Sequence, residues 1–340
     1  IAELRWYRLL TSIGVGAALA LSGALLQGIF RNQLASPSII GVTSGASLGA
    51  SLVILLASGS IGGFFGLGGE GWAGAMPLLI SLAAFAGAMG STAIVTAFAT
   101  TGGRISVPTL LLVGIALNAI VGGAIATIQR FAVEEADLMR ALMTWTFGRL
   151  DDRADFHVVT IWVGLGIAAA VIPRIATELD LFAAGEEDAH GLGVDTTRVK
   201  WLTLGAAALC AALAVSVAGQ IGFVGLIVPH MLRRLTGASH KSLLWLCLLG
   251  GPVLLCGAEL LQRGVRIRRG LLRQGLGRGD LALGGLERGP GRFGLTTRRL
   301  GLTTRRFGLT PRRIGLSPRR LCLATRGFGF GLLRFRVCPG

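Results

Sequence analysis

Few side chains in this 340-residue chain have the types and spacing to do chemistry, and they keep unusual company. Gln27, Asn32, Asn118 and His230 lie in or beside long apolar runs. Glu186, Glu187 and Asp188 form an acidic trio, followed by the helix breakers Gly191 and Gly193. Arg149 and Arg153 bracket Asp151 and Asp152 in a polar stretch. No nucleophile–base set is visible, and no catalytic residue is expected. Of the five cysteines, Cys210, Cys247 and Cys256 sit in apolar runs and Cys322 and Cys338 near the end, with no Cys-x-x-Cys or Cys/His metal spacing. His230 has no second ligand at helical spacing, so no metal site is expected. No Gly-x-x-x-x-Gly-Lys-Ser/Thr loop is present to cradle a nucleotide. What remains is binding and positioning. Polar groups are costly to bury in lipid, so these side chains should face a bundle interior or a cavity. There they either line a path for a large solute or hydrogen-bond helix to helix. The acidic trio reads as a short polar helix with acids suited to its N-terminal dipole, able to seat in a partner's groove or to remain a solvated loop.

The elements that hold these residues are membrane spans. Hydrophobic residues make up 52% of the chain and charged ones 15%, against about 25% charged in a soluble domain; the mean hydropathy is +0.68. A bilayer core of roughly 30 Å needs about 20 apolar residues in a helix. Candidate spans are 9–29, 38–57, 76–99, 107–128, 157–176, 201–219, 221–235 and 241–261. The seventh is short and holds Pro229, which neighbouring helices can accommodate. Gly41, Gly45 and Gly49 recur four apart, a spacing that lets helix backbones approach closely. Arginine at the turn after the first span puts Arg31 in the cytoplasm, and the alternation then runs to Arg233 and Arg234 on the same side. The stretch 130–155 holds both signs of charge and decides nothing by itself. Helix-then-basic-turn occurs twice, a hint of two related halves.

The wording of two stretches is specific. Gly219–Arg233 reads Gly-x-Ile-x-Phe-Val-Gly-Leu-x-x-Pro-His-x-x-Arg. Gly23–Gly49 carries Gly23, Gln27, Asn32, Leu34, Ala35, Pro37, Gly41, Ser44, Gly45 and Ala46 in the second pattern, with Gln33 where a proline is usual. Together they resemble the signatures of the bacterial type II ABC importer permeases, which pass iron–siderophore chelates, haem or cobalamin across the inner membrane. LVGIALN (112–118), WTFGRL (145–150), LFAAGEEDAHGLGV (181–194) and GAELLQR (257–263) extend the likeness from about Leu4 to Arg263. Arg149 takes the place of the family's serine, and Glu259 that of its aspartate.

The resemblance implies an all-α, polytopic transmembrane helix bundle with about eight of an expected ten spans. Gln27, Asn32, Pro37, Asn118, Pro229 and His230 would line the translocation path or the bundle interior. Glu186, Glu187, Gly191, Leu192 and Gly193 would couple to an ATPase, and Arg149 and Arg153 would dock a binding protein. The implied partners are a second permease copy, identical or related, two cytoplasmic ATPase subunits, a periplasmic substrate-binding protein and membrane lipid. The implied location is the bacterial inner membrane, with no cofactor bound by this chain and ATP used by the partner subunit. The implied cargo is an iron(III)–siderophore chelate, with haem or cobalamin as alternatives.

Residues 1–263 are expected to form the permease domain. After Arg263 the text changes. Arg-x-Gly-Leu-Thr-x-Arg recurs every seven residues from Arg292, a low-complexity pattern with no plausible core, and glycine and proline argue against a helix there. Most of the excess arginine behind the net charge of +16 lies beyond Gln262. The favoured expectation for 264–340 is a disordered or out-of-frame tail produced by a reading-frame change near codon 264. That would make the chain a truncated, non-transporting remnant lacking its first and last spans. A basic tail touching anionic lipid is a second reading. A nucleic-acid-binding tail is a third, but scattered Phe gives no stacking pattern, so nucleic acid is not an expected partner. The chain opens at Ile1 without Met, so the natural start is expected upstream.

Overall fold

The computed structural model describes residues 2–58, 74–148, 150, 155–237 and 239–284. Its helices in chain order are α1 (Ala2–Phe30), α2 (Val42–Ala57), α3 (Met76–Ala99), α4 (Val107–Ala132), α5 (Ala136–Thr146), α6 (Asp155–Ala184), α7 (Glu186–Gly191), α8 (Thr196–Ala218), α9 (Val224–Thr236) and α10 (His240–Gly284). A 3-10 turn, Pro37–Ile40, precedes α2, and a two-stranded antiparallel hairpin, β1 (Thr100–Thr101) and β2 (Arg104–Ile105), joins α3 to α4. Among the described residues, six helices are long and apolar enough to cross a membrane: α1, α3, α4, α6, α8 and the His240–Gln262 part of α10. Helices thus stand at all eight expected positions, with α2 (16 residues) and α9 (13 residues) shorter than a full crossing.

Local chemistry sets these boundaries. Ser106 caps α4 by accepting from the Thr109 amide, and Asp195 caps α8 by accepting from the Arg198 amide, each satisfying a donor that the first turn leaves free. The expected span 38–57 begins as a helix only at Val42, because Gly41 adopts a left-handed conformation (φ 84°) and breaks it from the 3-10 turn. Likewise the seventh span starts at Val224 rather than 221, after Phe223 at φ 67°. Two elements went unread in the sequence. The stretch 130–155 contains α5, and the loop 100–106 is the β hairpin.

The centre of the bundle is α1 with α8. Within the membrane-length window of each, 83% of α1 and 78% of α8 is buried, against 17% of α4. Both central helices can lie deep because their sequences are small: Ala17, Ala18, Ala20 and Ala24 in one, Ala206–Ala208 and Cys210–Ala212 in the other, all buried. Small residues let helices approach closely enough to gain packing where lipid offers no hydrophobic drive. The Gly41/Gly45/Gly49 face does this for α2 and α3. A Cβ on Gly45 would overlap the Gly87 carbonyl, and one on Gly49 the Ala83 carbonyl. On α4, by contrast, Leu112, Ile115 and Ile120 stand exposed.

Contacts between distant residues fix which turns share an end. Asp180 at the close of α6 meets His240 at the opening of α10, and Lys200 near the start of α8 meets Ile105 of β2. Arg31, Ala183, Arg233 and His240 line one cavity. At the other end, Gly148 after α5 abuts the carbonyl of Gln220, just after α8. The described residues 136–148 therefore end opposite the Arg31 turn, an end that the mixed charge of the stretch left open.

The domain boundary is expected at 263. The chain divides by compactness after Ile267, and α10 is described to Gly284. Leucine and arginine are good helix formers, and residues 253–284 contain no proline to stop the helix. The heptad repeats from Arg292 lie outside the described residues.

Candidate transport path and coupling segment

The acidic trio opens α7 as the sequence predicts. After one and a half turns the helix closes through Leu192 N to Asp188 O, Gly193 N to His190 O and Val194 N to Ala189 O, each at 3.0 Å. Gly193 reaches φ 87°, a conformation that costs a glycine little and a side chain much. This turn leaves Leu192 66% exposed, and Glu187 is exposed as well. Glu186, Glu187, His190 and Gly193 border a cleft of about 580 Å³ with Arg104, Asp195 and Thr196. Arg104 comes from the hairpin, so the cleft is walled by two separate segments. Gly191 is exposed at the end of α7.

Lys200 lies beneath that cleft. Its side chain is 5% exposed. The ammonium donates to the Ile105 carbonyl at 2.8 Å and to Glu186 Oε1 at 2.5 Å, and it stands 5.8 Å from the Phe182 ring centroid. Removing an ion from water costs several kcal/mol unless partners compensate; here a carboxylate and a carbonyl do.

The expected path residues do not converge on one cavity. Gln27, 2% exposed, donates from Nε2 to the Leu226 carbonyl at 3.4 Å, while its buried Oε1 has no partner among the described residues. It shares a 160 Å³ cavity with Asn32, Arg31, Arg233 and His240. Asn32 itself is exposed and accepts from the Leu34 amide at 2.9 Å, stabilising the turn. Asn118 is a tie between helices: it accepts from Ser44 Oγ at 2.5 Å and donates to the Ser38 carbonyl at 2.9 Å. Pro37 is buried at the start of the 3-10 turn, and Pro229 is buried within α9. His230 is half-buried, and its Nδ1 has no hydrogen-bond partner among the described residues. Arg149 and Arg153 lie outside the described residues. Among the described residues no group of His, Cys, Asp and Glu could hold a metal ion.

The sequence reading missed a second polar cluster at the end where Arg31 lies. Asp180 Oδ1 accepts from the His240 amide at 2.5 Å and from His240 Nδ1 at 2.8 Å, and Oδ2 accepts from Ser239 Oγ at 3.2 Å. Arg233 Nη2 stands 3.2 Å from His240 Nε2. A guanidinium only donates, so Nε2 must accept and the proton sits on Nδ1, facing the carboxylate. The cluster therefore joins α6, α9 and α10 around a neutral imidazole. Its sequence signal was faint: one aspartate and one histidine sixty positions apart, each at the end of an apolar run.

An all-helical bundle of small-residue crossings, with polar ties at its ends and a short acidic helix between two long spans, defines a membrane permease. The chain belongs to the FecCD transport family, whose profile matches residues 1–270. Similar proteins include a cobalamin import permease of Halobacterium salinarum, 39% identical over 77% of this chain and 66% of that one. A hemin transport permease of Yersinia pestis is 36% identical over 77% of this chain and 74% of its own length. An Fe(3+)-citrate import permease of Bacillus subtilis is 34% identical over 78% and 74%, and a molybdate import permease of Haemophilus influenzae is 34% identical over 72% and 67%. This chain thus spans just under two thirds of the first of these relatives. A solved metal-chelate type ABC transporter in an inward-facing conformation superposes with a TM-score of 0.64 at 30% identity, covering 74% of this chain and 75% of that one.

Proposed function

We propose that this chain is the membrane subunit of an ATP-driven importer that moves an iron(III)–siderophore chelate from the periplasm to the cytoplasm. The observation that carries the importer reading is α7: a short acidic helix, closed by a left-handed Gly193, that sets Leu192 and Glu187 outward at the end where Arg31, Arg233 and Arg234 gather. Arginine-bearing turns mark the cytoplasmic side, which is where an ATPase subunit would meet that helix. The iron chelate is favoured by the likeness to the Fe(3+)-citrate permease and to a metal-chelate transporter. Haem or cobalamin is the second reading, supported by the hemin and cobalamin relatives. The spans carry few charged residues, so transport would not rest on ion or proton coupling through mid-span groups. A second permease copy, two ATPase subunits and a periplasmic binding protein, docked through Arg149 and Arg153, complete the proposed assembly in the bacterial inner membrane.

The test is uptake into proteoliposomes holding the permease with its ATPase and binding protein. Iron–siderophore accumulation that needs ATP and the binding protein supports the reading. Accumulation of haem or cobalamin instead reassigns the cargo. No uptake of any of these by an assembled complex returns the chain to a non-transporting remnant.

A variant separates assembly from coupling. Gly193→Val forces a β-branched side chain into φ 87°, which costs about 1–3 kcal/mol locally and turns Leu192 away from its outward position. ATP-driven uptake is expected to fall about tenfold or more while the permease still inserts and dimerises. Full uptake would mean that α7 does not couple.

A further inference from the structure

We propose that Lys200 is the positioning residue that makes α7 and the β1–β2 hairpin move as one body, so that displacement of α7 is carried directly into α3 and α4. The inference rests on the reading of α7 as the ATPase contact.

The argument begins with an ion in an expensive place. Lys200 is 4% exposed, and lysine is almost never buried so fully unless paired. Were packing alone needed, an aliphatic side chain would serve. Instead the ammonium spends its donors on two different segments, the Glu186 carboxylate of α7 and the Ile105 carbonyl of β2. Among the described residues, no other side chain is bonded to both. Ile105 is itself only 3% exposed and belongs to the core, so β2 is anchored there and is not a free flap.

The hairpin is in turn a short, stiff joint. Ser106 N donates to the Ala99 carbonyl at 3.0 Å, closing the end of α3 onto the start of α4. Ser106 then caps α4. Two turns further along, Gly114 packs against the Ile39 carbonyl, and one turn beyond that Asn118 bonds Ser44 and Ser38. A continuous chain of contacts therefore runs from α7 through one ammonium to the hairpin, along α4, and into the turn ahead of α2. Arg104, across the cleft from Glu187 and Asp195, places a charge of opposite sign on the hairpin side of the same cleft. A partner that presses on α7 would thus meet both walls.

The experiment uses the whole complex of permease, ATPase and binding protein in lipid nanodiscs. Hydrogen–deuterium exchange is followed at residues 100–106 and 186–193, with and without a non-hydrolysable ATP analogue. In the unaltered complex both segments are expected to change exchange together. In Lys200→Met, residues 186–193 are expected still to respond while the response at 100–106 is lost, with uptake per ATP falling about tenfold. Lys200→Arg, which keeps the charge and the donors, should restore the hairpin response; a purely space-filling role would not distinguish Arg from Met in this way. A hairpin response that persists in Lys200→Met overturns the proposal. An unaltered complex in which 186–193 never responds overturns instead the reading of α7 on which it rests. Should Lys200→Met fail to insert, Glu186→Gln cuts one arm at a side chain that is 47% exposed. A weakened hairpin response then supports the tie, and an undiminished one refutes it.

Discussion

Gly23→Ala is expected to destabilise the bundle by about 2–3 kcal/mol and to abolish ATP-driven uptake. Gly23 lies on α1, the most buried helix of the bundle. A Cβ at this position would overlap the Gly225 carbonyl of α9. An obstructing side chain could rotate away, but a carbonyl held in a helix cannot, so the added methyl must push the two helices apart. The approach is backbone to backbone from both sides, since a Cβ on Gly225 would in turn meet the Leu19 carbonyl of α1. The displacement would reach Gln27, whose amide bonds Leu226, one residue further along α9. Thermal unfolding of the purified permease checks the stability, and vesicle uptake checks the function. Gly90→Ala is the control: nothing lies within 4 Å of its new Cβ, so it should be neutral or slightly stabilising, by up to about 1 kcal/mol. Equal behaviour of the two variants would mean that α1 and α9 do not touch through their backbones.

Asp180→Ala should cost about 2–4 kcal/mol, the penalty of leaving the two buried His240 donors without an acceptor. The carboxylate receives the His240 amide, His240 Nδ1 and Ser239 Oγ. Its loss leaves His240, whose side chain is 4% exposed, with Arg233 as its neighbour and no anion. Asp180→Asn keeps an acceptor oxygen in place and should cost less than half as much. The effect should also reach function, because Asp180 precedes by four residues the point where α6 ends and α7 begins. Unfolding midpoints of the two variants, measured side by side, decide the matter. If Ala and Asn behave alike, the cluster is not held by acceptance at the carboxylate.

Long apolar runs made most of the fold legible in the sequence. The expected spans 76–99 and 107–128 correspond to α3 and α4, because Pro77 and Pro108 mark their starts and polar turns their ends. The glycine face of α2 was legible for the same reason: four-residue spacing is a helical property, readable without knowing the partner. What stayed hidden depends on partners distant along the chain. Lys200 follows an ordinary helix cap, and nothing nearby announces that its ammonium meets a carbonyl 95 residues earlier. The hairpin at 100–105 is Thr-Thr-Gly-Gly-Arg-Ile, which reads as a generic turn until Lys200 fixes it. Of the six residues expected along the path, Gln27 and Asn32 share a cavity, while Asn118 fastens one helix to another. A polar residue in an apolar run announces that it needs a partner; it does not announce whether that partner is cargo or protein. The start of α2 was misplaced because a hydropathy scan averages over Gly41, whereas its φ of 84° acts at a single residue.

That break before α2 bears on how the permeability barrier is built. A helix of 16 residues spans about 24 Å, short of the roughly 30 Å of hydrocarbon in a bilayer. The missing thickness is made up by the 3-10 turn, which reaches about 10 Å along α4 from its start, at Gly114. There the Ser38 and Gly41 carbonyls each accept one backbone amide, from Gly41 and Gly45. Ser91 Oγ adds a second donor to the Gly41 carbonyl at 2.6 Å, and Asn118 Nδ2 adds one to that of Ser38. At this depth, insulation against leakage comes from hydroxyl and amide groups occupying the sites that water would otherwise take, and a greasier residue at position 91 or 118 would make the membrane more permeable.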